Sequence, residues 1–297
     1  MSADSSFLLN RVFTRNTFRQ VLDNGSDGAY VTAIRRYVVD PDGKNNGQLI
    51  SEIYQVLRRE YRNEYYYKNT ILNELLLKAH DPTETTALTE VTIGRSKADF
   101  VLINGTATAY EIKTELDNFD RLESQIADYS KAFTRVSVLT CEHRLVALQK
   151  RLSASPVGVW IMTENGTIAE VKKPQECSAG LDAATMFRVL RKQEFEKIIG
   201  RHFGSLPAVT QYEYYSACKR LFCQLDTPTA FSEFVATLKK RARIDIEAYQ
   251  KVPYELKFLV YFSNFRARDY QKLDAFLRQE EADACTSPTY EVGSTSS

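Results

Sequence analysis

The sequence predicts an α/β fold, a mixed β-sheet flanked by helices, followed by a mainly helical C-terminal region. Two observations predict it. Between residues 88 and 162, short β-branched or alternating apolar runs recur with helical patterns between them, in the order β-β-β-α-β-α-β. That order requires strands of both directions in one sheet. Beyond residue 180 the strand patterns stop and five helical stretches follow, so Lys172-Lys173-Pro174 to Gly180 reads as a boundary.

Residues 7–38 read as short helical pieces. The turn-rich run Asp40-Pro41-Asp42-Gly43-Lys44-Asn45-Asn46-Gly47 breaks them off, and helical spacing returns over 49–57. A stronger helix is expected over 63–79, with Ile71, Leu72, Leu75 and Leu76 as its apolar stripe, ended by Asp81-Pro82. Strands follow over 88–93, stopped by Gly94, and over 98–103 and 107–112. The last two meet at Asn104-Gly105 as a hairpin. Asp117 is placed to cap a helix over 118–133. Then come a strand over 136–139, a helix over 142–152, a strand over 157–162, and a turn at Asn165-Gly166 into a strand over 168–171. C-terminal helices are expected over 183–200, 211–224, 228–243, 253–262 and 267–277, and a disordered tail over 280–297, which holds no Lys or Arg. The domain reading is a helical segment (1–60), an α/β core (61–173), a helical region (180–279) and the tail.

The 297 residues are 43% hydrophobic and 26% charged, as in ordinary globular chains, and the net charge is +1. Any nucleic-acid surface must therefore be local. Residues 180–243 supply one candidate, with eleven Lys/Arg against six Asp/Glu, a local net of +5. Arg188, Arg191, Lys192, Lys239, Lys240, Arg241 and Arg243 lie in it. The tyrosines Tyr212, Tyr214 and Tyr215 are expected to pack rather than stack on bases. Five cysteines are scattered, and Cys218 and Cys223 lack zinc-ligand spacing, which points to a reduced, cytoplasmic setting. His80, His143 and His202 stand isolated and are read as neither ligand nor base. The first ten residues do not resemble a secretory signal, and no run approaches 18 apolar residues, so no membrane contact is expected.

Chemistry concentrates on the 98–113 hairpin. Asp99 sits early on its first strand, and Glu111 and Lys113 late on its second. Ionised acids inside apolar strands are costly unless paired or metal-bound. Two acids beside a lysine can hold a divalent ion and activate water at a phosphate. The plain alternative is a salt bridge at a strand end. Register decides whether the three meet. A two-residue turn pairs Ile103 with Thr106 and turns Asp99 away from Glu111. A three-residue turn, or a bulge, pairs Ile103 with Ala107 and sets Asp99 opposite Glu111. The second arrangement is expected, with Ala107 and Ala109 leaving room for substrate on the same face and Tyr110 and Ile112 against the core.

These residues resemble the PD-(D/E)XK, or restriction-endonuclease-like, superfamily, whose motif is an Asp on one strand and Glu-x-Lys on the next. Ala98 stands where the family's leading Pro would be. Gln125-Ile126-Ala127-Asp128-Tyr129 resembles the Gln-x-x-x-Tyr motif of RecB-type members, and the run from Glu111 to Tyr129 is similar to a little-characterised bacterial and phage family of this type. The likeness covers roughly residues 60–165. It implies a restriction-endonuclease-like core and a metal-dependent nuclease cleaving DNA, in defence against foreign DNA or its repair. Asp99 and Glu111 would bind Mg²⁺ or Mn²⁺ with the backbone carbonyl of Ile112. Lys113 would orient the water, and Gln125 and Tyr129 would position substrate. The helix acid, which would touch the metal directly or through water, is Glu64 or Glu74, with Asn63-Glu64-Tyr65-Tyr66-Tyr67-Lys68-Asn69 favouring Glu64. The rival reading is a non-catalytic nucleic-acid-binding or partner-binding module on the same fold, with a protein partner held by the C-terminal helices.

Overall fold

The computed structural model describes residues 3–78, 81, 83–242 and 244–280. In chain order the helices α1 (Ala3–Val12), α2 (Arg15–Asn24), α3 (Gly28–Tyr37), α4 (Asn46–Glu60) and α5 (Glu64–Ile71) lead into a π-helical segment, Leu72–Lys78. Strands β1 (Thr86–Ile93), β2 (Ser96–Asn104) and β3 (Thr106–Lys113) follow, then α6 (Leu122–Tyr129), β4 (Arg135–Cys141), a 3-10 turn (Glu142–Arg144) and α7 (Leu145–Arg151). After β5 (Gly158–Met162) and β6 (Ile168–Lys172) come α8 (Ala183–Val189), α9 (Lys192–Phe203), α10 (Gln211–Phe222), α11 (Thr227–Leu238), α12 (Ile246–Gln250), α13 (Lys257–Tyr261) and α14 (Ala267–Arg278).

The chain divides into two compact units. The first combines residues 1–61 with 247–297, and the second is 62–246. The helices of the 180–279 stretch are thus shared between them. The expected tail lies, apart from Glu280, outside the described residues, as do His80 and Arg243.

In the first unit, the turn-rich run ends earlier than its composition suggests. Asn45 caps α4 by accepting from the Gln48 amide at 3.0 Å, while Gln48 Oε1 takes the Asn45 amide at 3.0 Å. This reciprocal capping draws Asn46 and Gly47 into the helix. Asn46 is buried and ties the C-terminal helix to α3, accepting from Tyr30 Oη at 2.7 Å and donating to the Phe276 carbonyl at 3.1 Å.

The second unit holds a six-stranded open sheet in the order β1-β2-β3-β4-β5-β6. β1-β2-β3 are antiparallel, β3, β4 and β5 are mutually parallel, and β6 returns antiparallel. The mixed sheet flanked by helices is therefore as expected. β3 is central and buried along nearly its whole length, whereas β6, on the edge, is half-exposed. The β1–β2 turn depends on Gly94, whose φ is +62°; a Cβ there would lie 2.6 Å from Asp128 Oδ1. Asp128 in turn accepts from the Arg95 amide and the Ser96 hydroxyl, fastening the turn to α6.

Several expected elements differ. The helix over 63–79 becomes π-helical from Leu72, so the 100° spacing of its expected apolar stripe does not carry across it. The helix after β3 starts at Leu122, because Asp117 instead accepts from the amide and hydroxyl of Thr114 and closes a turn. The helix over 183–200 breaks at Leu190-Arg191. There Glu194 takes the Arg191 amide at 2.7 Å, and Arg241 takes the orphaned Val189 carbonyl at 2.8 Å. The helix over 253–262 begins as a 3-10 turn.

One sheet face carries Val101, Ile103, Ala107, Ala109 and Val138, buried with Tyr129 and Phe133 and with Phe187, Phe195, Phe222 and Phe234 of α8 to α11. The small side chains of Ala107 and Ala109, expected to leave room for substrate, are fully buried in this core instead. Phe133 and Phe234 rings lie 5.8 Å apart above the sheet. Across Glu90, at φ +55°, the core side of β1 shifts by one residue: Leu88 packs inward before it, Val91 and Ile93 after it. β2 shifts likewise across Asp99, from Ala98 to Val101. Asp99 therefore sits at a phase break.

Candidate functional site

The hairpin adopts the three-residue-turn register. Ile103 pairs with Ala107, Val101 with Ala109 and Phe100 with Tyr110, which sets Asp99 level with Glu111. The ladder stops at Phe100. Beyond it the Ile112 amide donates to Asp99 Oδ2 at 2.8 Å, a side chain standing in for the missing strand partner. Tyr110 and Ile112 are buried on the other face, with Tyr110 edge-on to Phe100 and Trp160.

Glu111 is 2% exposed and is the hub of a closed network. Its Oε1 accepts from Gln125 Nε2 at 2.5 Å and lies 2.9 Å from Lys113 Nζ. Its Oε2 lies 2.5 Å from Tyr129 Oη, which also reaches the Lys97 carbonyl at 2.8 Å. Lys113 donates to Gln125 Oε1 at 2.9 Å. Gln125 and Tyr129, four apart on α6, face the strand together. Burial, then the Glu111 carboxylate, raise the Tyr129 hydroxyl above the usual phenol range. Burial, then Glu111, also push the Asp99 carboxyl up to about 7, against the Ile112 amide and Lys68.

The helix acids stand apart from this network. Glu64 is exposed and pairs with Lys68 at 2.5 Å; Glu74 pairs with Lys78 at 2.5 Å. Lys68 is buried, which opposes its charge, but Glu64, Asp99 and Glu90 together hold its ammonium above the ordinary range. Lys97 is exposed and reaches Glu90 at 3.4 Å. Among the described residues, Asp99, Glu111 and Glu64 do not gather their oxygens as a set of metal donors. Ile112 meets Asp99 through its amide, and both Glu111 oxygens already hold protein donors. A hard cation seeking six or more oxygens would have to displace them, so the arrangement does not fit Mg²⁺ or Mn²⁺.

The basic C-terminal residues divide. Arg241 is bound to Glu194 at 2.5 Å, while Arg188 and Lys192 stand at 4.0 and 3.9 Å from Asp182 and Glu196. Lys239 and Lys240 are exposed. Arg191, Lys197, Arg201, Lys240 and Arg241, with Glu194 as the one acid, line a cavity of about 310 Å³ beside α9 and α11. Tyr214 packs as expected and donates to Glu196 at 2.7 Å, but Tyr212 is 96% exposed. Sequence reasoning missed one pair: the Cys141 sulfur and His143 Nε2 lie 3.4 Å apart. The Cys-x-His spacing at a strand end was its signal.

The family model for Bacteriophage P4 protein cII matches residues 57–241, more than half of the chain and almost all of its second unit. The chain belongs to this family. Protein cII of Enterobacteria phage P4 is 26% identical over 136 residues, which are 44% of this chain and 51% of that protein. The chain thus spans about half the length of this curated relative. No solved structure matches. Membership in the protein cII family overturns the assignment to the PD-(D/E)XK superfamily and its RecB-type branch. With it go the expected nuclease activity, the hydrolase class and the Mg²⁺-dependent cleavage of DNA. The physical reason is local: acids and a lysine in apolar strands suit a metal site, and here the same pattern forms a buried ion pair fastened by a helix.

Proposed function

We propose that this chain is a non-catalytic nucleic-acid-binding protein that holds the phosphate backbone in the basic cleft beside α9 and α11. The observation that carries the reading is the lining of that cleft, five cations against one carboxylate, in a chain whose net charge is only +1. Phosphate contacts of this kind supply affinity without reading sequence. Lys197 and Lys240 are exposed and form no ion pair among the described residues, so both are available to phosphates. The Glu111, Lys113, Gln125 and Tyr129 network then serves as a brace fixing α6 to β3. The restriction-endonuclease-like core stays in the proposal as a statement of chain path alone, supported by an antiparallel β1-β2-β3 leading through α6 into parallel β4. No described helix is long and apolar enough to cross a membrane. The four described cysteines are free, which supports action in the reducing cytoplasm.

A protein partner is the second reading. It is favoured by Leu206, Val209, Tyr212 and Tyr215, all exposed along the α9–α10 connection and α10.

Fluorescence anisotropy with labelled duplex and single-stranded DNA, over about 50 to 200 mM salt, tests the first reading. The wild type binds with an affinity that falls as salt rises. The Lys197→Glu/Lys240→Glu variant binds more weakly, and its log–log salt slope is shallower by about 0.9 per lost contact, roughly 2 in all. Equal binding by wild type and variant would remove the cleft from the account. The same samples incubated with Mg²⁺ should show DNA of unchanged length; shortened products would reinstate hydrolysis.

A further inference from the structure

We propose that Cys141, His143 and Glu115 form a binding site for a zinc-class divalent ion at the carboxyl ends of β3 and β4. The site goes beyond the nucleic-acid reading and lies away from the basic cleft's residues.

The topology creates the place. β3 and β4 run parallel, with Lys113 level with Thr140. Glu115 lies two residues past the first of these and Cys141 one residue past the second. The 3-10 turn Glu142–Arg144 then folds back and brings His143 to the sulfur. The carboxyl ends of parallel strands are where α/β sheets leave room for ligands.

The donor atoms are already spaced for an ion. One atom from each of Glu115, Cys141 and His143 lies within 4.8 Å of the other two. The sulfur and Nε2 are 3.4 Å apart. A tetrahedral zinc, with Zn–S near 2.3 Å and Zn–N near 2.05 Å, separates those atoms by about 3.6 Å. Thiolate and imidazole select zinc-like ions over Mg²⁺ or Ca²⁺. Glu115 and His143 are exposed, so the fourth position faces solvent and takes a water.

Cys141 is 3% exposed. The Tyr67 hydroxyl is fully buried and has no hydrogen-bond partner. The polar groups acting on it are the Cys141 thiol, Glu115 and Arg62. A buried hydroxyl left without a partner costs about 1–3 kcal/mol. A metal-bound thiolate or water gives this one an acceptor, as outer-shell donors commonly do at metal sites. Burial of the sulfur argues against the other use of a Cys–His pair, as an exposed nucleophile.

Co²⁺ titration of the reduced full chain tests the site. The expected result is a thiolate-to-cobalt charge-transfer band with the intense d–d absorption of a four-coordinate ion, saturating at one ion per chain and displaced by Zn²⁺. The Cys141→Ser variant loses the charge-transfer band, His143→Asn weakens binding at least tenfold, and the Cys177→Ser/Cys223→Ser/Cys285→Ser variant keeps both signal and affinity. A wild type without the band overturns the proposal, as does a band that survives Cys141→Ser. If Cys141→Ser does not fold, His143→Asn and Glu115→Gln, at exposed positions, decide the matter: unchanged cobalt affinity in both overturns it.

Discussion

Replacing Lys113 by Met keeps the length and apolar stem of the side chain and removes its charge. Lys113 Nζ stands 2.9 Å from Glu111 Oε1 and 2.9 Å from Gln125 Oε1. The Glu111 side chain is only 3% exposed, so water cannot replace the lost cation. Breaking a buried pair from one side costs about 3–5 kcal/mol. Against a domain stability on the order of 5–15 kcal/mol, that is a large fraction. Trp160, the single tryptophan, lies on β5, so its fluorescence in urea follows the second unit alone. With an m-value of roughly 2–3 kcal/mol/M, the Lys113→Met midpoint should fall by about 1.5 M. The Lys113→Met/Glu111→Gln variant should regain at least about 1 kcal/mol, since neighbours in one network do not add. A Lys113→Met loss below about 1 kcal/mol, the level of a solvated pair, would refute the argument that this network is closed and structural.

Asp99 gives a pH signature. Its carboxyl is raised from 3.8 to about 7 in the fold, so the folded state keeps a proton that the unfolded chain releases, and stability falls as pH rises between those values. At about 1.4 kcal/mol per unit, wild type should lose roughly 2–3 kcal/mol from pH 5 to pH 8 that Asp99→Asn does not; parallel urea curves for the two proteins would disprove it. Gly94→Ala combines φ +62° with a Cβ 2.6 Å from Asp128 and should cost roughly 2–4 kcal/mol. Gly105→Ala, at φ +66° with nothing within 4 Å, should cost only the backbone part, about 1–2 kcal/mol. Equal losses in a melt would show that Asp128 yields freely. Arg241→Met uncovers the Val189 carbonyl and leaves Glu194 with the Arg191 amide but without its ion-pair partner, and should cost about 2–4 kcal/mol. Arg241 first among its charged partners keeps the Glu194 carboxyl below its usual range despite burial. Wild type should therefore lose this contribution as pH falls through the carboxylate range, and Arg241→Met should be flatter there.

What could be read from the chain was set by local rules. Asn104-Gly105 and the alternation around it determine the hairpin, and the observed Ile103–Ala107 pairing follows. The six strands announce themselves through β-branched runs. What could not be read depends on partners far along the chain. The break between α8 and α9 needs Arg241, 52 residues beyond the carbonyl it covers. The burial of Ala107 and Ala109 needs aromatic side chains from α8 to α11. The phase break at Asp99 needs Glu90 in a positive-φ conformation on the facing strand. The meaning of Glu111 and Lys113 turned on the same limit. Spacing places the charges on one face, but only the contacts from Gln125 and Tyr129 tell a fastened ion pair from an open one.

The division of the chain has a consequence for its synthesis. Residues 62–246 form one unit, while the other joins residues 1–61 to residues 247 and beyond. A ribosome delivers residues 1–61 before the sheet-bearing unit and their counterpart after it. α4 is made long before α14, whose Phe276 carbonyl and following Gln279 carbonyl take both bonds offered by the Asn46 amide group. The sheet-bearing unit can complete itself during translation, since domains fold as they emerge. Helices α1 to α4 cannot, and their apolar faces, with Phe18, Tyr30 and Tyr54 on them, wait uncovered until residues 247 onward arrive. A prematurely terminated product would therefore carry a finished sheet and a permanently unfinished start.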